Sequence, residues 1–234
     1  MIIVPAKNES SVIYSTARAL GDLDYPKDKI SVIMVNDGSD DDTGVWMDKI
    51  SEDFGYDVIH LERNMGKRSA IAKAMERNFS EITVLVDSDS ALESDALKQG
   101  LRGFYSQNTA AICGHTDVAN SKATWLTRMQ AQQYFIAFKT FKSLEGFFRS
   151  VICCSGAFSL YRTDSIRPLI EEWENQTFLG RSRTFGDDRG LTNLLLREGY
   201  DTIYVSEAKA KTIVPQNAKT VSYTHLTLPT IGCV

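Results

Sequence analysis

The chain lacks any hydrophobic run long enough to cross a bilayer. Nowhere in its 234 residues do 18 consecutive apolar residues occur, and even the longer apolar runs are pieces such as Ile82 to Val86. The N-terminus has no basic leader followed by an apolar stretch, and Met1 to Val4 have the pattern of a β-strand. We interpret this abrupt start as that of a soluble fragment of a longer protein.

Cysteine and histidine are too few and too scattered for a structural zinc site. The cysteines are Cys113, Cys153, Cys154 and Cys233, no CxxC motif occurs, and the three histidines lie far apart. Two neighbouring cysteines cannot close an unstrained disulfide between themselves, so we expect a reducing compartment.

Positive charge is not in excess, since 26 Lys and Arg face 30 Asp and Glu and leave a net charge of -4. Neutralising nucleic-acid phosphates requires a surplus of cations, so we expect no nucleic-acid partner. The 43% hydrophobic content, 15 Gly and 5 Pro are ordinary for a globular domain. This composition excludes disordered and collagen-like chains.

Short β-rich segments alternate with helical patterns in the first half of the chain. The predicted strands are Ile2–Val4, Ile30–Val35, Val58–Leu61, Ile82–Val86 and Ala110–Cys113. The predicted helices are Ser11–Leu20, Gly44–Phe54, Lys67–Phe79 and Ser94–Tyr105. This alternation predicts an α/β fold with a mostly parallel central sheet and helices on both faces.

The pattern changes after Gly114. Residues 123–148 are aromatic-rich with helical spacing, and Leu191–Arg197 has the spacing of a helix closed by Gly199. We therefore divide one domain into halves, residues 1–114 and 115–220. Residues 221–234 are rich in Thr and Leu and have no periodicity, so we interpret them as a non-native tail.

Polar residues follow each of the first four predicted strands. These segments are Pro5–Glu9, Asn36–Asp40, Arg63–Arg68 and Asp87–Asp89. In parallel α/β sheets, ligands bind outside the carboxyl ends of the strands. We expect the four segments to meet in one cleft.

Two of these segments contain acids suited to a nucleotide diphosphate. Asp87 and Asp89 would lie on the same side of an extended chain, and two such carboxylates suit Mg²⁺ or Mn²⁺. The alternative is a solvated turn with no metal. Asp37 can accept hydrogen bonds from a uracil or a ribose. The alternative is a structural role in the turn that leads into the next helix. Lys67 and Arg68 begin a helix, where two cations and free backbone N–H groups can anchor a pyrophosphate. The alternative is a solvated basic turn.

A second pair of acids, Asp187 and Asp188, precedes the predicted helix at Leu191. The helix dipole favours their charged form, and one of them suffices as a cap. The other, oriented by Arg189, can serve as a general base toward a sugar hydroxyl. The aromatic residues between 125 and 148 are expected to pack in the core or against a partner rather than to bind sugar.

Six motifs together resemble the inverting family 2 processive glycosyltransferases, which include hyaluronan, chitin and cellulose synthases. The motifs are Val4–Glu9, Asn36–Ser39, Asn64–Arg68, Asp87–Asp89, Cys153–Gly156 and Gly186–Asn193. Asn175–Gly180 followed by the last motif is most similar to hyaluronan synthases, and rhizobial chitin-oligosaccharide synthases are the near competitor. The resemblance implies a GT-A fold.

The resemblance also implies donors, acceptors and residue roles. Residues 1–114 would bind a UDP-sugar, UDP-GlcNAc or UDP-GlcA, and residues 115–220 would bind the growing saccharide and carry the catalytic base. Asp188 would be that base, with Asp187 and Arg189 beside it, and Asp87 and Asp89 would hold Mg²⁺ or Mn²⁺. The remaining implied substrate contacts are Pro5, Asn8, Glu9, Asp37, Lys67, Arg68, Asp87, Cys154, Ser155 and Gly156.

Two features of that family are missing from this sequence. The QxxRW motif expected after Pro215 does not occur, and neither do the membrane helices. We expect the parent protein to lie in the plasma or inner membrane with this domain facing the cytoplasm, and the chain itself to bind UDP-sugar but polymerise poorly. A non-processive transferase and an inactive UDP-binding fragment are the alternatives.

Overall fold

The computed structural model describes residues 1–178, 181–182 and 186–217. Its β-strands are β1 (Ile2–Ala6), β2 (Val32–Asn36), β3 (Asp57–His60), β4 (Ile82–Leu85), β5 (Ser90–Leu92), β6 (Thr109–Val118), β7 (Ser159–Arg162), β8 (Thr177–Phe178), β9 (Arg181–Ser182) and β10 (Asp201–Thr212). All but β8 and β9, which pair only with each other, belong to one sheet.

The α-helices of the described chain are α1 (Ile13–Gly21), α2 (Thr43–Phe54), α3 (Lys67–Met75), α4 (Ala96–Leu101), α5 (Trp125–Ile136), α6 (Ser143–Phe147), α7 (Thr163–Ile166), α8 (Ile170–Glu174) and α9 (Asp187–Arg197). A π-helical segment, Ala137–Lys142, joins α5 to α6, and short 3₁₀ turns occur at Lys27–Lys29 and Arg167–Leu169.

The eight strands of the large sheet are ordered β3-β2-β1-β4-β7-β6-β10-β5. Strands β1 to β4 are mutually parallel, β7 runs antiparallel to both of its neighbours, and β10 is parallel to β6 but antiparallel to β5. Within the described residues, every strand of this sheet except β5 and β7 therefore runs in one direction. The predicted α/β class with a mostly parallel sheet is confirmed.

Both faces of the sheet are buried. Alternate residues of β1 point to opposite faces, so Ile2 and Val4 belong to one core cluster and Ile3 to the other. Because parallel strands covered on both faces have no solvent side, β1 and β2 are buried at every position. Trp173 of α8 is among the largest fully buried side chains and lies in the second cluster.

The second half of the chain is less regular than the sequence predicts. The aromatic segment forms consecutive helical pieces as expected, but with the π-helical insertion between them. Strand β6 crosses the boundary drawn at residue 114, so both halves contribute to one sheet. Helix α9 begins at Asp187, four residues before the predicted start at Leu191.

The aromatic segment is only partly buried. Phe138 is in the core, whereas Trp125, Phe141, Phe147 and Phe148 are exposed. No helix in the described ranges is both long and apolar enough to cross a membrane. The interpretation of residues 221–234 as a tail concerns a segment outside the described residues.

Candidate active site

A cleft of about 370 Å³ opens at the carboxyl ends of β1, β2 and β4. It contains six of the expected site residues and five others from the same loops. Its lining residues are Pro5, Ala6, Lys7, Glu9, Asp37, Asn64, Gly66, Lys67, Asp87, Ser88 and Asp89. The parallel strands thus bring all four polar segments to one place.

Asp37 connects two of the loops that form this cleft. Its carboxylate, only 4% exposed, accepts backbone N–H bonds from Met65 (2.7 Å) and Gly66 (2.9 Å). The neighbouring Gly38 has a left-handed φ of 58°, and a Cβ there would lie 2.4 Å from the carbonyl carbon of Arg63. The loop before α3 is therefore pressed against the end of β2.

Lys67, the first residue of α3, lies between two carboxylates. Its Nζ is 2.6 Å from Oδ1 of Asp87 and 3.6 Å from Oδ1 of Asp188. Burial by itself lowers the pKa of Lys67, but the two carboxylates outweigh it and hold the pKa well above its ordinary value. Lys67 therefore stays charged and links the cleft to the start of α9.

The floor of the cleft carries an excess of negative charge. Burial, with added repulsion from Asp89 and Asp87, raises the pKa of Glu9 to about 7, against a smaller lowering by a hydrogen bond to Ser88. Burial and the neighbouring Asp87 likewise raise the pKa of Asp89, whose Oδ1 accepts a hydrogen bond from the Thr212 hydroxyl at 3.3 Å. Carboxylates crowded in this way favour a bound cation.

The donor set fits a divalent cation bound together with a diphosphate. No group of three or more His, Cys, Asp or Glu side chains suited to a metal occurs among the residues that the structure describes. Mg²⁺ and Mn²⁺ need only one or two protein carboxylates when water and phosphate oxygens complete the shell. Asp87 and Asp89 supply that number.

Asp188 lies on the other side of Lys67. The backbone N–H of Gly156 donates to its Oδ2 at 2.7 Å. Burial raises the pKa of Asp188, and the positive charge of Lys67 opposes this rise. The Thr192 hydroxyl donates to the Asp188 carbonyl at 2.7 Å and accepts from the Cys154 N–H at 2.9 Å, which ties α9 to the loop before β7.

Gly156 allows the close approach of these groups. A Cβ at this position would lie 2.6 Å from Nζ of Lys67 and 2.8 Å from Oδ1 of Asp188. Such distances are too short for non-bonded atoms, so one of the two charged groups would have to move. The absence of a side chain at residue 156 is thus a geometric requirement of this arrangement.

Several predicted site residues do not line the cleft. Asn8 is exposed, and its Oδ1 accepts the Asp40 N–H at 2.9 Å. Cys154 is fully buried, and the half-buried Ser155 follows it. Arg189 is exposed and forms no salt bridge with any carboxylate in the described ranges, so Lys67 is the cation beside Asp188.

Arg68 is placed differently from the expected UDP contact. Its side chain is 5% exposed and its Nε lies 2.6 Å from Oδ1 of Asp187. Asp187, expected beside the base, therefore pairs with a buried cation that does not line the cleft. Successive residues of an α-helix are about 100° apart around its axis, so Lys67 and Arg68 point in different directions.

Lys7 lines the cleft but is not among the site residues expected from the sequence. Its Nζ donates to the Gly38 carbonyl at 2.9 Å and lies 3.8 Å from Oδ2 of Asp40, at the rim of the cleft. A cation directly after the first strand is the signal that could have identified it. Trp173 and Thr192 contribute by holding helices in place, and no feature of the sequence around them indicates that role.

Known glycosyltransferases are similar to this chain in sequence. Residues 1–195 match the family model described as Glycosyl transferase family 2. The N-acetylglucosaminyltransferase of Azorhizobium caulinodans is 35% identical over 217 residues, which covers 92% of this chain and 54% of that protein. That of Rhizobium meliloti is 33% identical over 221 residues, covering 93% and 52%. The chain spans about half the length of these relatives.

Solved structures share the fold at lower identity. The mannosyltransferase PcManGT from Pyrobaculum calidifontis, in complex with GDP-Man and Mn²⁺, matches with a TM-score of 0.73 at 19% identity, covering 97% of this chain and 61% of that one. TarS 1-349 of S. aureus, in complex with UDP-GlcNAc, matches with a TM-score of 0.67 at 18% identity, covering 94% and 60%. The chain belongs to glycosyl transferase family 2 and forms a glycosyltransferase domain of the GT-A fold.

Proposed function

We propose that this domain transfers N-acetylglucosamine from UDP-GlcNAc to a saccharide acceptor and inverts the anomeric centre to give a β-glycoside. The observation that carries the proposal is the Asp188 carboxylate, held between the Gly156 N–H and Lys67 beside the cleft. The curated relatives are N-acetylglucosaminyltransferases, which favours this function over the hyaluronan-synthase interpretation with alternating UDP-GlcNAc and UDP-GlcA.

The donor would lie in the cleft with its uridine near Asp37. The N-terminus of α3 and the charged Lys67 offer backbone N–H groups and a cation to the diphosphate. TarS, which shares the fold, was solved with UDP-GlcNAc, and this agrees with a UDP-sugar donor. Pro5 and Glu9 complete the walls of this donor site.

Asp87 and Asp89 would hold Mg²⁺ or Mn²⁺ against the diphosphate. When bound, the cation would neutralise negative charge that develops on the departing UDP. Lys67 already places a positive charge beside Asp87, so the site can accommodate the negative charge of two phosphate groups.

Asp188 would remove the proton from the acceptor hydroxyl as that oxygen attacks the anomeric carbon. Its raised pKa brings the carboxylate closer to the working pH than an ordinary aspartate, which makes it a better base. The Gly156 N–H fixes Oδ2, so the orientation of the carboxylate is set before the substrate binds. Ser155 and Gly156 would border the acceptor.

The parent protein would act on a growing saccharide at a membrane. We propose that parts of the protein outside this chain anchor it in the plasma or inner membrane, with this domain facing the cytoplasm. The alternative, a fragment that binds UDP without transfer, predicts the same donor contacts but no role for Asp188.

The substitution Asp188→Asn tests the proposal. With UDP-GlcNAc, Mn²⁺ and an N-acetylglucosamine oligosaccharide, we expect about a 10²- to 10⁴-fold loss of product, as typical for removal of a general base. Titration of UDP by calorimetry should give an unchanged Kd, because Asp188 lies beyond the cleft lining. The exposed Asp57→Asn is the matched control and should behave like the wild type. Equal product from Asp188→Asn would refute the assignment of the base.

A further inference from the structure

Two buried side chains outside the cleft hold the residue that precedes the proposed base. Arg68 donates from Nε to Oδ1 of Asp187 at 2.6 Å and from Nη1 to the carbonyl of Trp173 at 3.0 Å. The guanidinium also lies 5.7 Å from the centre of the Trp173 ring. Arg68 thus joins α3 to both α8 and α9.

Trp173 completes the arrangement from the opposite side. Its indole Nε1–H donates to the backbone carbonyl of Asp187 at 2.9 Å. Asp187 is therefore held at its carboxylate by Arg68 and at its main chain by Trp173. Helix α9 follows Gly186, which has a left-handed φ of 68° and no side chain to cap the helix. These two contacts fix the first turn where an ordinary side-chain cap is missing.

The packing around Gly190 provides an independent observation. A Cβ on Gly190 would lie 2.9 Å from Oε1 of Gln176, 3.3 Å from Nη2 of Arg68 and 3.4 Å from Cδ1 of Trp173. One turn into α9, the helix therefore packs against the same two side chains, where an added methyl group would press on Arg68 and touch Trp173. Arg68 and Trp173 fix both the start of α9 and its distance from α3.

Consecutive cations on α3 pair with consecutive acids on α9. Lys67 lies beside Asp188 at 3.6 Å, and Arg68 pairs with Asp187 at 2.6 Å. A shift of Asp187 would carry Asp188 away from the Gly156 N–H, because the two residues share the first turn of α9.

We infer that Arg68 and Trp173 are positioning residues, which orient Asp188 through Asp187 rather than contacting the nucleotide. The inference rests on the proposed function of Asp188 and replaces the expected contact of Arg68 with UDP. It predicts that the two residues affect the chemical step and leave donor binding unchanged.

The test compares Arg68→Met, Arg68→Lys and Trp173→Phe with the control Arg77→Met, an exposed residue in the turn that follows α3. Each variant is titrated with UDP and assayed with UDP-GlcNAc and the oligosaccharide acceptor. We expect about a 100-fold lower kcat for Arg68→Met with an unchanged KM for the donor, since a small displacement of a reacting group has this effect. Trp173→Phe, which keeps the ring and loses the N–H donor, should lower kcat in the same way. Arg68→Lys should recover part of the loss.

A tenfold or larger increase of the UDP Kd in Arg68→Met would overturn the inference, because it would place the guanidinium on the nucleotide. An unchanged kcat in both Arg68→Met and Trp173→Phe would overturn it as well. Far-ultraviolet circular dichroism identifies variants that fail to fold. Gly190→Ala, whose methyl group would press on Arg68 and Gln176, then takes their place and should lower kcat without changing the UDP Kd.

Carbon-13 NMR of the Asp188 carboxyl separates this inference from the proposed function. Its titration midpoint should change in Arg68→Met and Trp173→Phe but not in Arg77→Met, whether or not the chain transfers sugar. A wild type that neither binds UDP nor transfers would contradict the proposed function alone. An Asp188 titration identical in all variants would contradict the positioning role alone.

Discussion

Lys67 lies 3.6 Å from Asp188, so a single ammonium group adjoins both the proposed base and, at 2.6 Å, the proposed metal ligand Asp87. The donor side and the acceptor side of the site are therefore coupled electrostatically through one residue. A change at Lys67 should therefore be measurable at Asp188.

Replacing Lys67 by methionine should raise the apparent pKa of Asp188, because the positive charge of Lys67 opposes the rise caused by burial. We expect the acidic limb of the pH profile of kcat to move upward by about 1 unit, a usual effect of a close opposite charge. The measurement is product formation between pH 5 and 9. Lys73→Met, an exposed lysine of the same helix, is the control, and an unmoved acidic limb would argue against the coupling.

Gly156→Ala should disable transfer while preserving the fold. The added methyl group would meet Nζ of Lys67 and the Asp188 carboxylate below 3 Å, so at least one of them must move. We expect about a 100-fold loss of kcat, which is typical of a displacement near 1 Å. Gly21→Ala, where the nearest atoms lie at 3.5 Å, is the control for a harmless methyl group. Wild-type kcat in Gly156→Ala would show that the site tolerates the shift.

Glu9 should make the folded chain less stable as the pH rises. Its pKa is about 7 in the folded chain against an ordinary value of 4.5, so the folded state binds the proton more tightly. Stability from this group is present below about pH 4.5 and is lost as the pH rises to 7, by an amount of the order of 2 kcal/mol. Glu9→Gln should be more stable than the wild type at pH 8 and should lose this dependence.

Urea unfolding at pH 5 and pH 8 measures the effect of Glu9. The exposed Glu52→Gln is the matched control and should leave the difference between the two pH values unchanged. If Glu9→Gln shows the same difference as the wild type, Glu9 is not the group that titrates.

Asp89→Ala should abolish metal-dependent binding of UDP. The wild type should bind UDP more tightly with Mn²⁺ than with EDTA, because the cation offsets the charges of Asp87, Asp89 and the diphosphate. In the variant, calorimetry should give the same weak Kd with and without Mn²⁺, whereas Asp57→Ala should keep the metal effect. A metal effect that survives in Asp89→Ala would place the cation elsewhere.

The sequence predicts the first half of this fold better than the second. Continuous apolar runs identify β1, β2 and β4, and the turn residues after them identify the cleft, because these signals are local. The π-helical segment and the pairing of β10 with β6 depend on contacts distant in sequence, and no local pattern announces them. Helix α9 begins earlier than predicted because Arg68 and Trp173 hold its polar first turn.

The same distinction applies to the site. The spacing in Asp87–Asp89 indicates a pair of carboxylates, and the structure places both in the cleft. Two neighbouring cations look equivalent in the sequence, but the first turn of α3 directs Lys67 to the cleft and Arg68 into the core. Which of two adjacent side chains faces a ligand depends on tertiary packing, and that information is absent from a motif.

The exposed aromatic side chains at residues 125, 141, 147 and 148 affect how the stability of this domain is best measured. Apolar dyes bind exposed hydrophobic surface on native proteins as well as on unfolded ones. A dye-based melt of this chain should therefore begin with raised fluorescence, which reduces the contrast between the folded and unfolded states. Circular dichroism, which follows the backbone, would report the transition without that background.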